Sequence, residues 1–198
     1  MKWLLNLIRD WLERGVTVQK EVTWTGHKEP EPDPKPAPLP PARPLVFTPQ
    51  SFLATIAPAA KAIEAETGIP WLFIATKAAH ESRYGNSKLT LLANNLFGIT
   101  GDSWYTAGKP VHWIETTEYN KDKMAFQIRR PFRKYENWTE SIRDWASLIQ
   151  RRYPKALEQA KAGNFAGFAT ELQKGGYATD PVYAVKLAAL HRNISLIG

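Results

Sequence analysis

The chain opens with MKWLLNLIRDWLERG, where Trp3, Leu4, Leu7, Ile8, Trp11 and Leu12 recur at helical spacing and form a broad apolar stripe. Asn6, Arg9 and Asp10 interrupt it, so it falls short of the ~20 apolar residues a spanning helix needs. It also lacks the long apolar region and small-residue cleavage site of a secretory signal. Residues 1–14 therefore read as an amphipathic helix that packs on its own protein, on a second copy, or on a membrane surface. Val16 to Trp24 alternate and suggest a strand. Proline then dominates Pro30 to Pro44. Each proline fixes φ and removes a donor, which predicts an extended, semi-rigid linker. The pattern divides the chain into an N-terminal element (1–28), a Pro-rich linker (29–45) and a folded domain (46–198).

Within that domain the signals are mostly helical. Ser51 to Thr67 is predicted as one helix, kinked at Pro58 and stopped by Gly68, and Pro70 to Arg83 as a second, ended by Tyr84-Gly85. Asn137 is a cap for a helix whose buried stripe is Trp138, Ile142, Trp145, Leu148 and Ile149. Asn164 and Asp180 are caps for two more, with Pro181 at a favoured first position. The stretch VHWIETTEYNKDKMAFQIRR breaks the pattern. It alternates on both sides of Asn120 to Lys123 and predicts a β-hairpin. The expected fold is mainly α (α+β), a helical body with one small β element.

Composition narrows the chemistry. Cysteine is absent, which excludes disulfides, thiolate metal sites and a cysteine nucleophile. His27, His80, His112 and His191 show no paired metal-ligand spacing, and no phosphate-binding glycine loop or nucleophile elbow is present. No metal or cofactor is expected. The net charge of +7 favours a polyanionic partner, whether nucleic acid, anionic lipid or an acidic cell wall. No nucleic-acid-binding motif accompanies the charge, so nucleic acid is not the expected partner.

Carboxylates remain as candidates. Ile74, Ala78 and Glu81 fall at i, i+4 and i+7, so Glu81 continues an apolar face in the last turn of its helix. Apolar walls and the negative end of the helix both disfavour a charged carboxylate. They favour the protonated form, which a general acid must hold. Glycoside cleavage commonly uses a second carboxylate. Glu115 and Glu118 lie three apart on the first hairpin strand and so point to opposite faces. Only one of them can look into a groove beside the helix, and spacing does not choose between them.

Several segments resemble glycoside hydrolase family 73, the endo-β-N-acetylglucosaminidases of autolysins, flagellum-associated wall hydrolases and some phage lysins. They occur in order: TGIP before AAHESRYGNS, then LANNLFGIT, TTEY, FRKYENWTESIRDWASLI and GGYATDPVYAVKL. The likeness runs from about Phe47 to the C-terminus. It implies a lysozyme-like fold, with a groove between helical body and β lobe. It also implies that Glu81 is the catalytic acid, Glu118 the second carboxylate and Tyr177 an active-site residue. Asn94, Asn95 and Phe97 match the segment beside the catalytic helix and are candidate substrate contacts. For the asparagines the alternative is capping or turning the backbone, and for Phe97 it is core packing. Trp104 and Tyr119, near the hairpin, are candidate sugar-stacking rings, with packing as the alternative. Two features depart from the family pattern. Arg83 stands where a small residue is common, and the hairpin turn lacks Asn-Gly.

The resemblance implies hydrolysis of the β-1,4 bond between N-acetylglucosamine and N-acetylmuramic acid in peptidoglycan glycan strands. A phage or prophage endolysin, or a related bacteriolytic enzyme, is the expected setting. Such a chain would be made in the cytoplasm and reach the wall by a route other than a secretory signal, or would travel with a virion. The rival readings are a lytic transglycosylase or muramidase and, further off, a non-catalytic wall-binding module.

Overall fold

The computed structural model describes residues 47–119, 125–178 and 180–197; for 116–119 and 125–128 the description is of the backbone. The N-terminal element, the linker and the hairpin turn at Asn120 to Lys123 lie outside the described residues. Eight helices and a two-stranded sheet are described. They are α1 (Pro49–Thr67), α2 (Trp71–Ser82), α3 (Lys88–Ala93), α4 (Asp102–Thr106), β1 (Val111–Tyr119), β2 (Ala125–Arg133), α5 (Trp138–Arg152), α6 (Pro154–Lys161), α7 (Phe165–Lys174) and α8 (Tyr183–Ser195). The predicted helical body with one hairpin is the observed architecture.

Caps set most boundaries. Thr48 and Ser51 form a reciprocal capping box, so α1 starts two residues before the predicted Ser51, and Gly68 ends it at φ 75°. Asn137 accepts from Glu140 N to start α5, and Asn164 accepts from Gly167 N to start α7. The expectation for Asp180 needs correcting. Its carboxylate accepts from Val182 N and its carbonyl from Tyr183 N, so Asp180 and Pro181 form a turn ahead of α8, whose cap position is Val182. Helices α3 and α4 were not predicted.

The core lies between α1, α2, α5, α7 and α8. Phe52, Ile56, Ile63, Ile74, Ile142, Trp145, Ile149, Phe168 and Leu172 are fully closed to solvent. A fully buried side chain of this size contributes roughly 1.5–3 kcal/mol relative to exposure. Trp145 stacks on Phe97 with centroids 4.8 Å apart and planes at 10°, worth about 0.5–1.5 kcal/mol beyond burial.

His191 on α8 stacks on Phe165 at 3.8 Å and joins its Nδ1 to Thr76 Oγ1 at 3.0 Å. The Thr76 hydroxyl gives its one proton to Leu72 O at 2.7 Å, so Nδ1–H is the donor to it. Burial pulls the His191 pKa below the ordinary 6.5. The unfolded chain therefore takes up this proton first as pH falls. The stabilisation it reflects is present above pH 6.5 and is lost as pH falls through the lowered folded value. The thermal midpoint is expected to drop between about pH 7.5 and about pH 5, and a His191→Phe variant should lose part of that drop.

The hairpin is antiparallel, with Val111 opposite Arg133, Glu115 opposite Arg129 and Glu118 opposite Phe126. Its root is fixed to the helical body. Thr100 bridges to Phe132, and Gly101 N donates to Pro131 O at 2.8 Å. A Cβ at Gly101 would sit 2.9 Å from Val111 Cγ1 and 3.0 Å from the Phe132 carbonyl carbon, so a side chain there would push the hairpin off. Arg133 Nη1 donates to both Asp144 carboxylate oxygens at 2.8 and 2.6 Å, and Tyr135 OH donates to Asp144 Oδ2 at 2.7 Å. This knot ties the end of β2 to α5.

Candidate active site

Helix α2 runs through the middle of the body, and Ile74, Ala75 and Ala78 on it are fully buried. Glu81 lies in its last turn with a side chain 11% exposed. The turn that follows is built by its own residues. Ser82 Oγ donates to Ala78 O at 2.6 Å and accepts from Gly85 N at 2.7 Å. Asn86 accepts from Phe47 N at 2.8 Å and donates to Phe47 O at 2.9 Å, pinning the start of the domain to this turn. Arg83, Tyr84 and Gly85 all take positive φ, at 54°, 55° and 79°.

For arginine and tyrosine the left-handed conformation costs about 1–2 kcal/mol per residue. Gly85 has a second constraint, because a Cβ there would lie 3.0 Å from Trp138 and 3.2 Å from Phe47 and Phe52. Arg83→Gly is expected to raise stability by about 1 kcal/mol, the relief of strain exceeding the added freedom of the unfolded chain. A higher urea midpoint at unchanged slope would show it.

The predicted all-apolar wall around Glu81 needs correcting. Lys77, one turn earlier and fully buried, ion-pairs with the Glu81 carboxylate. Its Nζ lies 4.0 Å above the Tyr177 ring centre and 5.3 Å from that of Tyr183. Burial pulls the Lys77 ammonium below its ordinary pKa, and the Glu81 carboxylate partly offsets that pull. Sequence reading passed over Lys77. Its signal was a lone cation in an otherwise apolar and small run, four residues before the glutamate.

Tyr177, in the loop after α7, joins this pair to open space. Its hydroxyl accepts from Trp145 Nε1 at 3.3 Å, and burial raises its pKa well above the usual tyrosine value. Tyr153 and Tyr183 flank it at 5.4 and 6.3 Å. The Tyr183 hydroxyl is buried with no hydrogen-bond partner among the described residues. On its other side Tyr177 lines a cleft of about 340 Å³ with Phe97, Gly98, Thr100, Arg133, Arg152 and Tyr153. Glu81 is not in the cleft lining.

The remaining candidates divide. Asn94 ends α3 at φ 52°, and its amide donates to Tyr135 O and Glu136 O, both at 3.0 Å. Asn95 is buried; its amide donates to Ile99 O and Arg133 O at 2.9 Å and accepts from Ile99 N at 3.1 Å. Both thus turn and tie backbone. Phe97 is 1% exposed and lies on Trp145, so its edge reaches the cleft from within the core. Trp104 on α4 is half-buried, with Arg133 at 4.9 Å and Lys109 at 5.0 Å over its ring and its edge on Tyr135. The backbones of Glu118 and Tyr119 end β1, and their side chains lie outside the described residues. Among the described residues no cluster of three or more His, Cys, Asp or Glu is placed to hold a metal.

A helical body, a two-stranded lobe and a nearly closed carboxylate at a helix end are the elements of a lysozyme-like glycoside hydrolase domain. The chain belongs to the glucosaminidase family (mannosyl-glycoprotein endo-beta-N-acetylglucosaminidase), whose profile matches residues 57–196. It is 43% identical over 129 residues to the exo-glucosaminidase LytG of Bacillus subtilis, covering 62% of this chain and 43% of that protein. It is 36% identical over 150 residues to the peptidoglycan hydrolase FlgJ of Pseudomonas aeruginosa, covering 72% of this chain and 36% of that one. The matched region is thus less than half of either relative. Among solved structures, the catalytic domain of the Listeria monocytogenes autolysin Auto superposes with a TM-score of 0.64 at 29% identity, covering 77% of this chain and 89% of that one. A truncated glycoside hydrolase domain of Salmonella typhimurium FlgJ gives 0.62 at 31%, covering 76% and 100%.

Proposed function

We propose that this chain is a peptidoglycan hydrolase that cleaves the β-1,4 bond between N-acetylglucosamine and N-acetylmuramic acid. The observation that carries the reading is the placing of Glu81 at the end of α2, nearly closed to water, with its partner Lys77 against the ring of Tyr177, which lines an open cleft. Glu81 gives its proton to the glycosidic oxygen as the bond from that oxygen to the anomeric carbon breaks. Positive charge develops on the sugar ring. Water then adds at the anomeric carbon and passes a proton to Glu118, near the end of β1. Tyr177 flanks the reacting sugar, and Trp104 and Tyr119 border the groove. Asn94 and Asn95 shape the site from behind, and the edge of Phe97 forms part of the cleft wall.

The setting that fits is a wall-lysing enzyme of the endolysin type, drawn to the anionic envelope by the +7 charge of the chain. The test is mass analysis of muropeptides from digested, borohydride-reduced walls. Reduced glucosamine ends are expected. Anhydromuramic ends would instead make the protein a lytic transglycosylase, and reduced muramic ends a muramidase.

A further inference from the structure

We infer that Lys77 is the positioning residue of Glu81: its buried ammonium, seated over the Tyr177 ring, holds the carboxyl against α2 and is the charge against which that carboxyl works. The inference rests on the assignment of Glu81 as the acid. A lysine with no exposed surface is costly to bury as a cation unless it is paired. Among the described residues Lys77 has one carboxylate partner, Glu81, and two aromatic faces, Tyr177 and Tyr183. A filler side chain at this depth would need no charge, and an apolar residue of similar volume would fit the same space at lower desolvation cost.

The groups that face the pair come from four places. His80 lies on α2 itself and packs edge-on to Tyr183 at 5.8 Å. Tyr153 follows α5, and Tyr177 follows α7. Tyr183 begins α8, where Lys186 is paired with Asp180 at 2.6 Å. That outer pair neutralises itself, and the tyrosines are neutral at ordinary pH. Among the described residues Lys77 is therefore the cation in contact with Glu81. A cation in contact favours the charged form of a carboxylate, so the rate profile must respond when that cation is removed.

The experiment measures wall clearing by Lys77→Met, Lys77→Gln, Glu81→Gln and the unaltered chain from about pH 4 to about pH 9. For both neutral Lys77 variants the basic limb of the rate profile should move up by about one pH unit or more, with a lower maximal rate and KM within about twofold. A folded Lys77 variant with the basic limb unmoved, while Glu81→Gln is inactive, overturns the inference. Wild-type clearing by Glu81→Gln instead overturns the assignment of the acid. A second measurement needs no stable Lys77 variant. In the unaltered chain the Glu81 carboxyl carbon, assigned through Glu81→Gln, and the Lys77 ε-carbon should shift together during a carbon-13 pH titration. A Lys77 carbon that does not respond as Glu81 titrates also overturns the inference.

Discussion

Glu81→Gln is expected to lower the rate of wall hydrolysis about 10²–10⁴-fold, the range a positioned general acid supplies. The amide has the volume of the carboxyl but no proton it can transfer to a leaving oxygen. The variant should still fold, because Glu81 is not part of the hydrophobic core, and core residues such as Ile74, Ala78 and Trp145 are left unchanged. It does strip Lys77 of its carboxylate partner. Burial already favours the uncharged amine there, so deprotonation limits the loss. A thermal midpoint lowered by a few degrees with an unchanged circular dichroism spectrum is the expected result. Glu81→Asp should be almost as slow, since a side chain shorter by one methylene draws the carboxyl back toward α2 and away from the geometry it donates from. Retained activity in both variants would remove Glu81 from the mechanism.

The largest stability effect is expected at Asp144. Its carboxylate takes two hydrogen bonds from Arg133 and one from Tyr135, and Tyr135 is 4% exposed. Asp144→Ala leaves a partly buried guanidinium and a buried hydroxyl without their acceptor. Removing one partner of a buried pair costs about 3–5 kcal/mol. With Arg133 and Asp144 side chains 15% and 18% exposed, solvent reaches the pair and the lower end, about 3 kcal/mol, applies. For a domain of this size that corresponds to a midpoint lowered by roughly 6–12 °C, read by calorimetry. Activity should fall as well, because Arg133 closes the hairpin whose first strand carries Glu118. Asp144→Asn keeps the acceptor oxygen and should lose less.

The long elements were legible because their signals were local. Thr67-Gly68, Asn137 and Asn164 act on neighbouring backbone, and the structure places helix ends at each. Alternation likewise marked both strands. Helices α3 and α4 have six and five residues, too short for a 3.6-residue period to declare itself. Asp180 looked like a cap but serves a turn two residues upstream, a distinction made by backbone geometry rather than residue type. Around Glu81 the helical spacing correctly put the carboxyl on a buried face. What the spacing could not supply was the third dimension. Tyr177 and Tyr183 arrive from the far end of the chain to roof Lys77, whose buried ammonium also has the Glu81 carboxylate as its partner. Asn95 shows the same limit, since its amide is taken by Arg133 O, 38 residues away.

Whether Glu81 protonates the departing oxygen is decided by changing how much the leaving group needs that proton. Wild type and Glu81→Gln would be compared on an N-acetylglucosamine oligosaccharide and on its 2,4-dinitrophenyl glycoside, whose phenolate departs without help. Proton donation by Glu81 predicts a loss of about 10²–10⁴-fold on the sugar leaving group and less than about 10-fold on the dinitrophenolate. Equal losses on both substrates would contradict it, because Glu81 would then serve some step other than proton donation.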